Sequence, residues 1–231
     1  MNRPAYFITG TDTGVGKTAI SCAIISLLVA RGFKVAAMKP VAAGGRLVDG
    51  VLHNEDVDSL IQEANVLLPQ ELVCPFLLKE PASPNLAAAI EARSVDVTHI
   101  ATCFQQIRAQ AEAVVVEGVG GFYVPLADHA SVADLALALG LPVILVVGLR
   151  LGCINHALLT SAAIRAKGLK LAGWVANHID PSMIFSDGNI ATLEKWLDAP
   201  RLGTVPYLQS LECAGDYLNL DLLHEISLKR K

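Results

Sequence analysis

The chain has 231 residues, 53 % of them hydrophobic and 17 % charged, with a formal charge of −4, a composition that excludes a disordered chain, which stays unfolded for want of apolar surface. The acidic balance offers no basic field to nucleic acid, since Lys229, Arg230 and Lys231 are the one cationic cluster. The most apolar stretch, residues 135–149, is broken by Gly140 and Pro142 and falls short of the ~20 residues of a membrane helix, so neither nucleic acid nor a membrane is an expected partner.

Residues 5–9 form a short apolar run ending at Gly10, and the segment before it has neither the apolar core nor the cleavage site of a signal peptide, so a cytoplasmic location is expected. A helix is predicted over residues 17–31, a second strand over 35–38 halted by Pro40, and a helix near 56–64. Residues 113–116 (AVVV) and 143–147 (VILVV) are continuous β-branched runs, the pattern of strands covered on both faces. Further strands are read at 171–176 and 202–205, and helices near 100–112, 132–139, 154–167 and 190–197. Strands and helices alternate without a linker, which predicts one α/β domain over residues 1–231 with a doubly wound, mainly parallel sheet of the phosphate-loop NTPase type. In such sheets ligands bind at the carboxyl ends of the strands.

After the first strand comes Gly10-Thr-Asp-Thr-Gly-Val-Gly-Lys-Thr18. A glycine-rich turn opening a helix presents backbone N–H groups to phosphates, with Lys17 reaching the β/γ-phosphates and the Thr18 hydroxyl facing Mg²⁺. The spacing is a variant of the usual motif, with Thr11 where the first glycine belongs. Three other readings compete: a plain glycine turn, a dinucleotide fingerprint over Gly14 to Ala19, and the loop of a partitioning-type ATPase. The fingerprint lacks an acidic residue after the second strand, where Lys39 stands, and the partitioning loop would carry lysine at Asp12. Lys39 is either a cation over the same rim or a solvated surface lysine. Glu117, ahead of Gly118-Val-Gly-Gly121, sits where a metal-assisting acid belongs, while Asp56 is either a second carboxylate for Mg²⁺ or a helix cap. The turn from Gly148 to His156 leaves free N–H groups for a carboxylate. Cys153 and His156 have no third group to orient them as a catalytic pair. The five cysteines form no CxxC pair, so reduced structural thiols are expected.

The blocks FITGTDTGVGKT (7–18), MKPVAAG (38–44), NED (54–56), VVVEGVGG (114–121), LPVILVVGLRLGCINHALLT (141–160), GWVAN (173–177) and GTVPYL (203–208) closely resemble the dethiobiotin synthetases of biotin biosynthesis. The resemblance implies ATP-dependent closure of a ureido ring on 7,8-diaminopelargonic acid with CO₂, giving dethiobiotin, ADP and phosphate, with ATP as co-substrate and Mg²⁺ as cofactor. It implies that Lys39 and Lys17 act catalytically as positioned cations and that Thr18, Asp56 and Glu117 hold Mg²⁺. Nucleotide contacts are implied for Gly14, Val15, Gly16, Lys17, Thr18 and Ala19, and for Asp56, Glu117, Gly118, Val119 and Gly120. They are implied too for Asn177, His178, Pro206, Tyr207, Leu208 and Glu212, the last a displaced stand-in for an acidic residue after PYL. Substrate contacts are implied for Thr13, Lys39 and Ala43, and, from the second chain of a homodimer, for Gly152, Cys153, Ile154 and Asn155. Ala43 and Gly14 stand where a well-studied branch of that family has serine and glutamate.

Overall fold

The computed structural model describes residues 3–208 and 211–223, without the side chains of 211–213. It opens with strand β1 (Ala5–Gly10), helix α1 (Lys17–Ala30) and strand β2 (Val35–Met38). Next come β3 (Val41–Ala42), a hairpin of β4 (Arg46–Val48) and β5 (Val51–His53), α2 (Glu55–Glu63), α3 (Gln70–Val73), β6 (Phe76–Leu77) and α4 (Pro84–Ile90). Helix α5 (Val97–Gln110) leads to β7 (Ala113–Gly121), the short strands β8 (Pro125–Ala127) and β9 (Ala130–Ser131), α6 (Val132–Leu139) and β10 (Val143–Leu149). The remainder is α7 (Cys153–Ala166), β11 (Leu171–His178), α8 (Ser186–Trp196), β12 (Arg201–Val205) and 3₁₀ turns at Leu211–Tyr217 and Leu220–Leu222.

Six strands form one parallel sheet in the order β12, β11, β10, β1, β7, β2. Alternate residues of each strand feed opposite layers, as the period of two requires. Phe7, Val114, Val116 and Leu145 pack with α5 to α8 on one face, while Tyr6, Ile8, Val115 and Ile144 pack with α1 and α2 on the other. Both faces are covered, which is why the AVVV and VILVV runs carry no polar alternation. The chain leaves β1 toward β2 on one side and returns through β7 to place β10 on the other, so β1 marks the reversal point where ligands bind in such sheets.

Several boundaries differ from those read in the sequence. Strand β7 runs on through Gly121, so Glu117 and Gly118 lie within a strand rather than at its end. Strands β10 and β11 likewise extend to Leu149 and His178, because parallel pairing with each other continues past the β-branched residues (Gly148 against Asn177, Leu149 against His178). The helix near residue 56 starts at Glu55, capped by Asn54, whose side chain accepts from the N–H groups of Asp56 and Val57; Asp56 is therefore not the cap. The elements β3, β4, β5, α3, β6, α4, β8 and β9 were not anticipated, being too short to show a period.

At Gly203 in the edge strand β12, an added Cβ would lie 2.0 Å from the Tyr217 carbonyl oxygen. Gly203→Ala is expected to push the 3₁₀ segment off the sheet and to lower stability by about 1–3 kcal/mol in urea unfolding. An unchanged midpoint would show that this packing yields freely.

Candidate active site

The sheet register builds the site. Met38 at the end of β2 pairs with Val116 of β7, so the next residues, Lys39 and Glu117, emerge side by side. Glu117 is fully buried and Lys39 nearly so, and the Lys39 ammonium donates to Glu117 Oε1 at 2.5 Å and to Asp56 Oδ2 at 2.9 Å. Thr18 Oγ1, in the first turn of α1, donates to the same Glu117 oxygen at 2.9 Å. Glu117 Oε2 is buried with no hydrogen-bond partner, an unsatisfied anionic acceptor of the kind a hard cation takes.

These neighbours set the titration of the charged groups. Burial alone would lower the Lys39 pKa, but Glu117 and Asp56 outweigh it and hold the amine above its ordinary value. Burial would raise the Asp56 carboxyl, and Lys39 outweighs it in the other direction. For Lys17 the carboxylates of Glu117, Asp56 and Asp12 compensate only in part. Burial first and Lys39 second lower its pKa to about 8, and its Nζ donates to the Asp12 carbonyl at 3.1 Å.

Helix α1 starts immediately after Gly16, which sits at φ 87° without a side-chain cap, so its first N–H groups are available to an anion. A side chain at Gly16 would also meet Asn177 Nδ2 at 2.2 Å. Asn177, at the end of β11, fixes the loop from behind by donating to the Val15 carbonyl at 2.9 Å. In front of the loop opens a cleft of about 740 Å³ whose polar lining is Thr13, Lys17, Thr18, Lys39, Asn54, Asp56, Ser83 and Glu117, a volume suited to a small-molecule ligand.

Residues 4–214 match the AAA domain family. The ATP-dependent dethiobiotin synthetase BioD of Janthinobacterium sp. (strain Marseille) is 56 % identical over 223 residues, covering 94 % of each chain. The chain belongs to the dethiobiotin synthetase family. Among solved structures, the septum site-determining protein MinD of Pyrococcus horikoshii, complexed with Mg-ADP, aligns with a TM-score of 0.57 at 18 % identity over 89 % of this chain and 82 % of its own. The MinC:MinD cell division complex of Aquifex aeolicus aligns with a TM-score of 0.59 at 16 % identity over 98 % of each. These two share the fold, that of the phosphate-loop NTPases. Family membership makes the chain a ligase and removes the oxidoreductase reading of the Gly14 to Ala19 loop.

Of the residues singled out in the sequence of this dethiobiotin synthetase family member, the cleft brings together Thr13, Gly14, Gly16, Lys17, Thr18, Ala19, Lys39, Ala43, Asp56, Glu117, Val119 and Gly120. Lys39 is thus no solvated surface lysine. Val15 is not in the lining; its side chain is buried in the core beneath the loop. Gly118 is also outside it, packed so closely on Phe7 that an added Cβ would sit 3.1 Å from the ring. His178 ends β11, and Pro206, Tyr207 and Leu208 follow β12, whose Val205 pairs with Asn177, so these residues share the strand-end rim beside Asn177 rather than the cleft itself. The side chain of Glu212 lies outside the described residues.

Gly152, Cys153, Ile154 and Asn155 open α7, away from the cleft lining. Cys153 is buried and its Sγ donates to Asn189 Oδ1 at 3.9 Å, not to His156. Cys22, Cys74, Cys103 and Cys153 are all buried free thiols, as expected of structural cysteines, and burial pushes Cys22 and Cys74 up to about 12. The sequence reading missed Asn54, which caps α2 and donates to the Ala43 carbonyl at 3.1 Å. It also missed the Pro81 to Pro84 wall of the cleft. Asparagine ahead of Glu55-Asp56, and Ser83-Pro84 opening a helix, are start signals that point to both.

The lowered pKa of Lys17 makes its charge a burden on the fold. The unfolded chain holds that proton more tightly, so the cost, about 3 kcal/mol, is fully present below pH 8 and fades as the pH rises toward 10.5. Lys17→Met is therefore expected to raise the urea midpoint at pH 7, with the gain shrinking by pH 10. A midpoint at or below that of the wild type would show that the fold bears no such cost.

Proposed function

We propose that the chain catalyses ATP-dependent carboxylation and ring closure of 7,8-diaminopelargonic acid to dethiobiotin, ADP and phosphate. The observation that carries this reading is the convergence of two buried lysines, Lys17 and Lys39, with Glu117 in one cleft at the mouth of a phosphate loop. Two cations facing one space suit a reaction whose carbamate and transferring phosphoryl group are both anionic.

In the proposed sequence one substrate amine takes up CO₂ as a carbamate, ATP phosphorylates the carbamate, and the second amine displaces phosphate to close the ring. Lys39, aimed from the strand end, stabilises the carbamate and the phosphoryl group in flight. Lys17 spreads charge over the β/γ-phosphates. Both act as preorganised charges in a site largely withdrawn from water, where such interactions count most. The N–H groups at the start of α1 cradle the phosphates, and Thr13 and the Ala43 segment contact the diamine. Asn177, His178 and the Pro206 to Leu208 segment, on the far side of Gly16, receive the adenine. The Thr18 hydroxyl, Glu117 and Asp56 would hold Mg²⁺, and the unpartnered Glu117 Oε2 is the observation that favours a cation there. That ion would neutralise charge on the β- and γ-phosphates.

The reading carries a cytoplasmic homodimer with it. Gly152, at φ 95° and without a side-chain cap, leaves the first N–H groups of the 14-residue α7 open to a carboxylate. Beside α7, a groove of about 540 Å³ lined by Tyr123, Leu159 and Thr160 meets the cleft at Thr13 and Val124. Tyr123 and Leu159 are more than half exposed, and a second copy would cover them while its own Gly152 to Asn155 turn receives the substrate's carboxylate tail.

The test is phosphate release from ATP. It is expected to require both the diamine and bicarbonate and to fall about 10²–10³-fold in Lys17→Ala; hydrolysis indifferent to the diamine would overturn the reading. The dimer is tested by mixing Lys17→Met with Asn155→Glu, the latter exposed and placed to repel the carboxylate tail. Under subunit exchange, two nearly inactive proteins should regain part of the activity, because one site of the heterodimer is intact. No recovery despite demonstrated exchange would contradict a shared site.

A further inference from the structure

We propose that Arg150 is a positioning residue for phosphoryl transfer: by holding Asp12 it fixes the first arm of the phosphate loop, and with it the direction of Lys17, against the end of β10. Position 12 is where the partitioning-type loop would carry a lysine, yet here it is an anion, and its charge is answered by a cation from 138 positions along the chain. The Arg150 guanidinium donates to Asp12 Oδ2. Asp12 Oδ1 accepts from the Thr13 N–H at 2.7 Å, and the Asp12 carbonyl accepts from Lys17 Nζ at 3.1 Å. One residue thus links the arginine to both the loop backbone and the lysine that faces the phosphates.

Arg150 is the outermost of a series of contacts between the same two segments. The Thr11 N–H donates to the Val146 carbonyl at 3.0 Å, and the Gly148 N–H approaches Thr11 Oγ1 at 3.4 Å. Gly148 also lies so close beneath the loop that an added Cβ would meet Val15 at 2.7 Å. The loop arm is therefore seated on β10 as far as Thr11, and the Arg150–Asp12 pair extends that seating by one residue, to the carbonyl that holds Lys17. The Arg150 and Asp12 side chains are 42 % and 45 % exposed, and pairs so exposed contribute little to global stability. Their consequence is local, in the placement of a cation whose displacement by a fraction of an ångström weakens catalysis. A guanidinium suits the task because its planar fork fixes direction as well as charge.

The inference rests on the phosphate-loop reading above, so wild type and variants are compared by turnover and, separately, by ADP binding in calorimetry. Arg150→Met is expected to lower kcat about tenfold or more, to weaken ADP binding severalfold, and to leave KM for the diamine and the unfolding midpoint close to wild type. Arg150→Lys should recover part of kcat. Asp12→Asn should reproduce the loss, and the double variant should be no worse than either single one, as expected of two residues acting as a unit. Turnover and ADP affinity both within twofold of wild type in Arg150→Met, additive losses, or a loss that merely follows a lowered unfolding midpoint would overturn the inference. A wild type that binds ADP without turning over the diamine would sink the enzymatic reading alone, and ADP binding in the variants would still decide the role of Arg150.

Discussion

A carboxylate with no exposure to water needs a cation beside it, and in this molecule Glu117 has one in Lys39. Withdrawing either partner alone from such a pair costs about 3–5 kcal/mol, because the other is left charged and dry. Parallel pairing of β2 with β7 is what brings the two side by side. From that contact the rest of the site follows: Asp56 is drawn to the second side of the Lys39 ammonium, Thr18 to the shared Glu117 oxygen, and α2 is held where Asn54 can cap it and reach the Ala43 segment. The same network that satisfies the end of the sheet is thus the proposed site of chemistry.

Much of this was legible in the sequence. The apolar runs at 113–116 and 143–147 revealed strands covered on both faces, and the glycine-rich turn before Lys17 marked a strand end suited to phosphates. Lys39 and Glu117 could be placed at one rim because each closes an apolar run, although Glu117 turned out to lie inside β7. The strand continues there because Glu117 keeps its pairing with Ile8 of β1 even though it is charged, which no apolar pattern can show.

What was not legible depends on tertiary contact. The Pro81 to Pro84 wall belongs to a segment of two- to seven-residue elements, below the length at which a period appears. The Cys153 thiol, prominent in the sequence beside His156, faces Asn189 in a half-buried contact 36 positions away. In the sequence Asp12 stands only as the place where a partitioning-type loop would carry lysine and Arg150 carries no signal, until the parallel pairing of β1 with β10 brings their loops together. Long-range partners of this kind leave no periodic trace.

In the proposed function the Glu117 carboxylate answers two cations, the buried Lys39 and a divalent ion accompanying the nucleotide. The most direct test is Mn²⁺ binding in the presence of ATP, followed by electron paramagnetic resonance in wild type and Glu117→Gln, with folding of the variant checked by circular dichroism. Glutamine keeps the volume of the side chain and removes the anionic oxygen. Wild type is expected to bind Mn²⁺ together with ATP, and the folded variant at least tenfold more weakly; equal affinity in the two proteins would reduce Glu117 to a counterion for Lys39 and rule out a metal role for it.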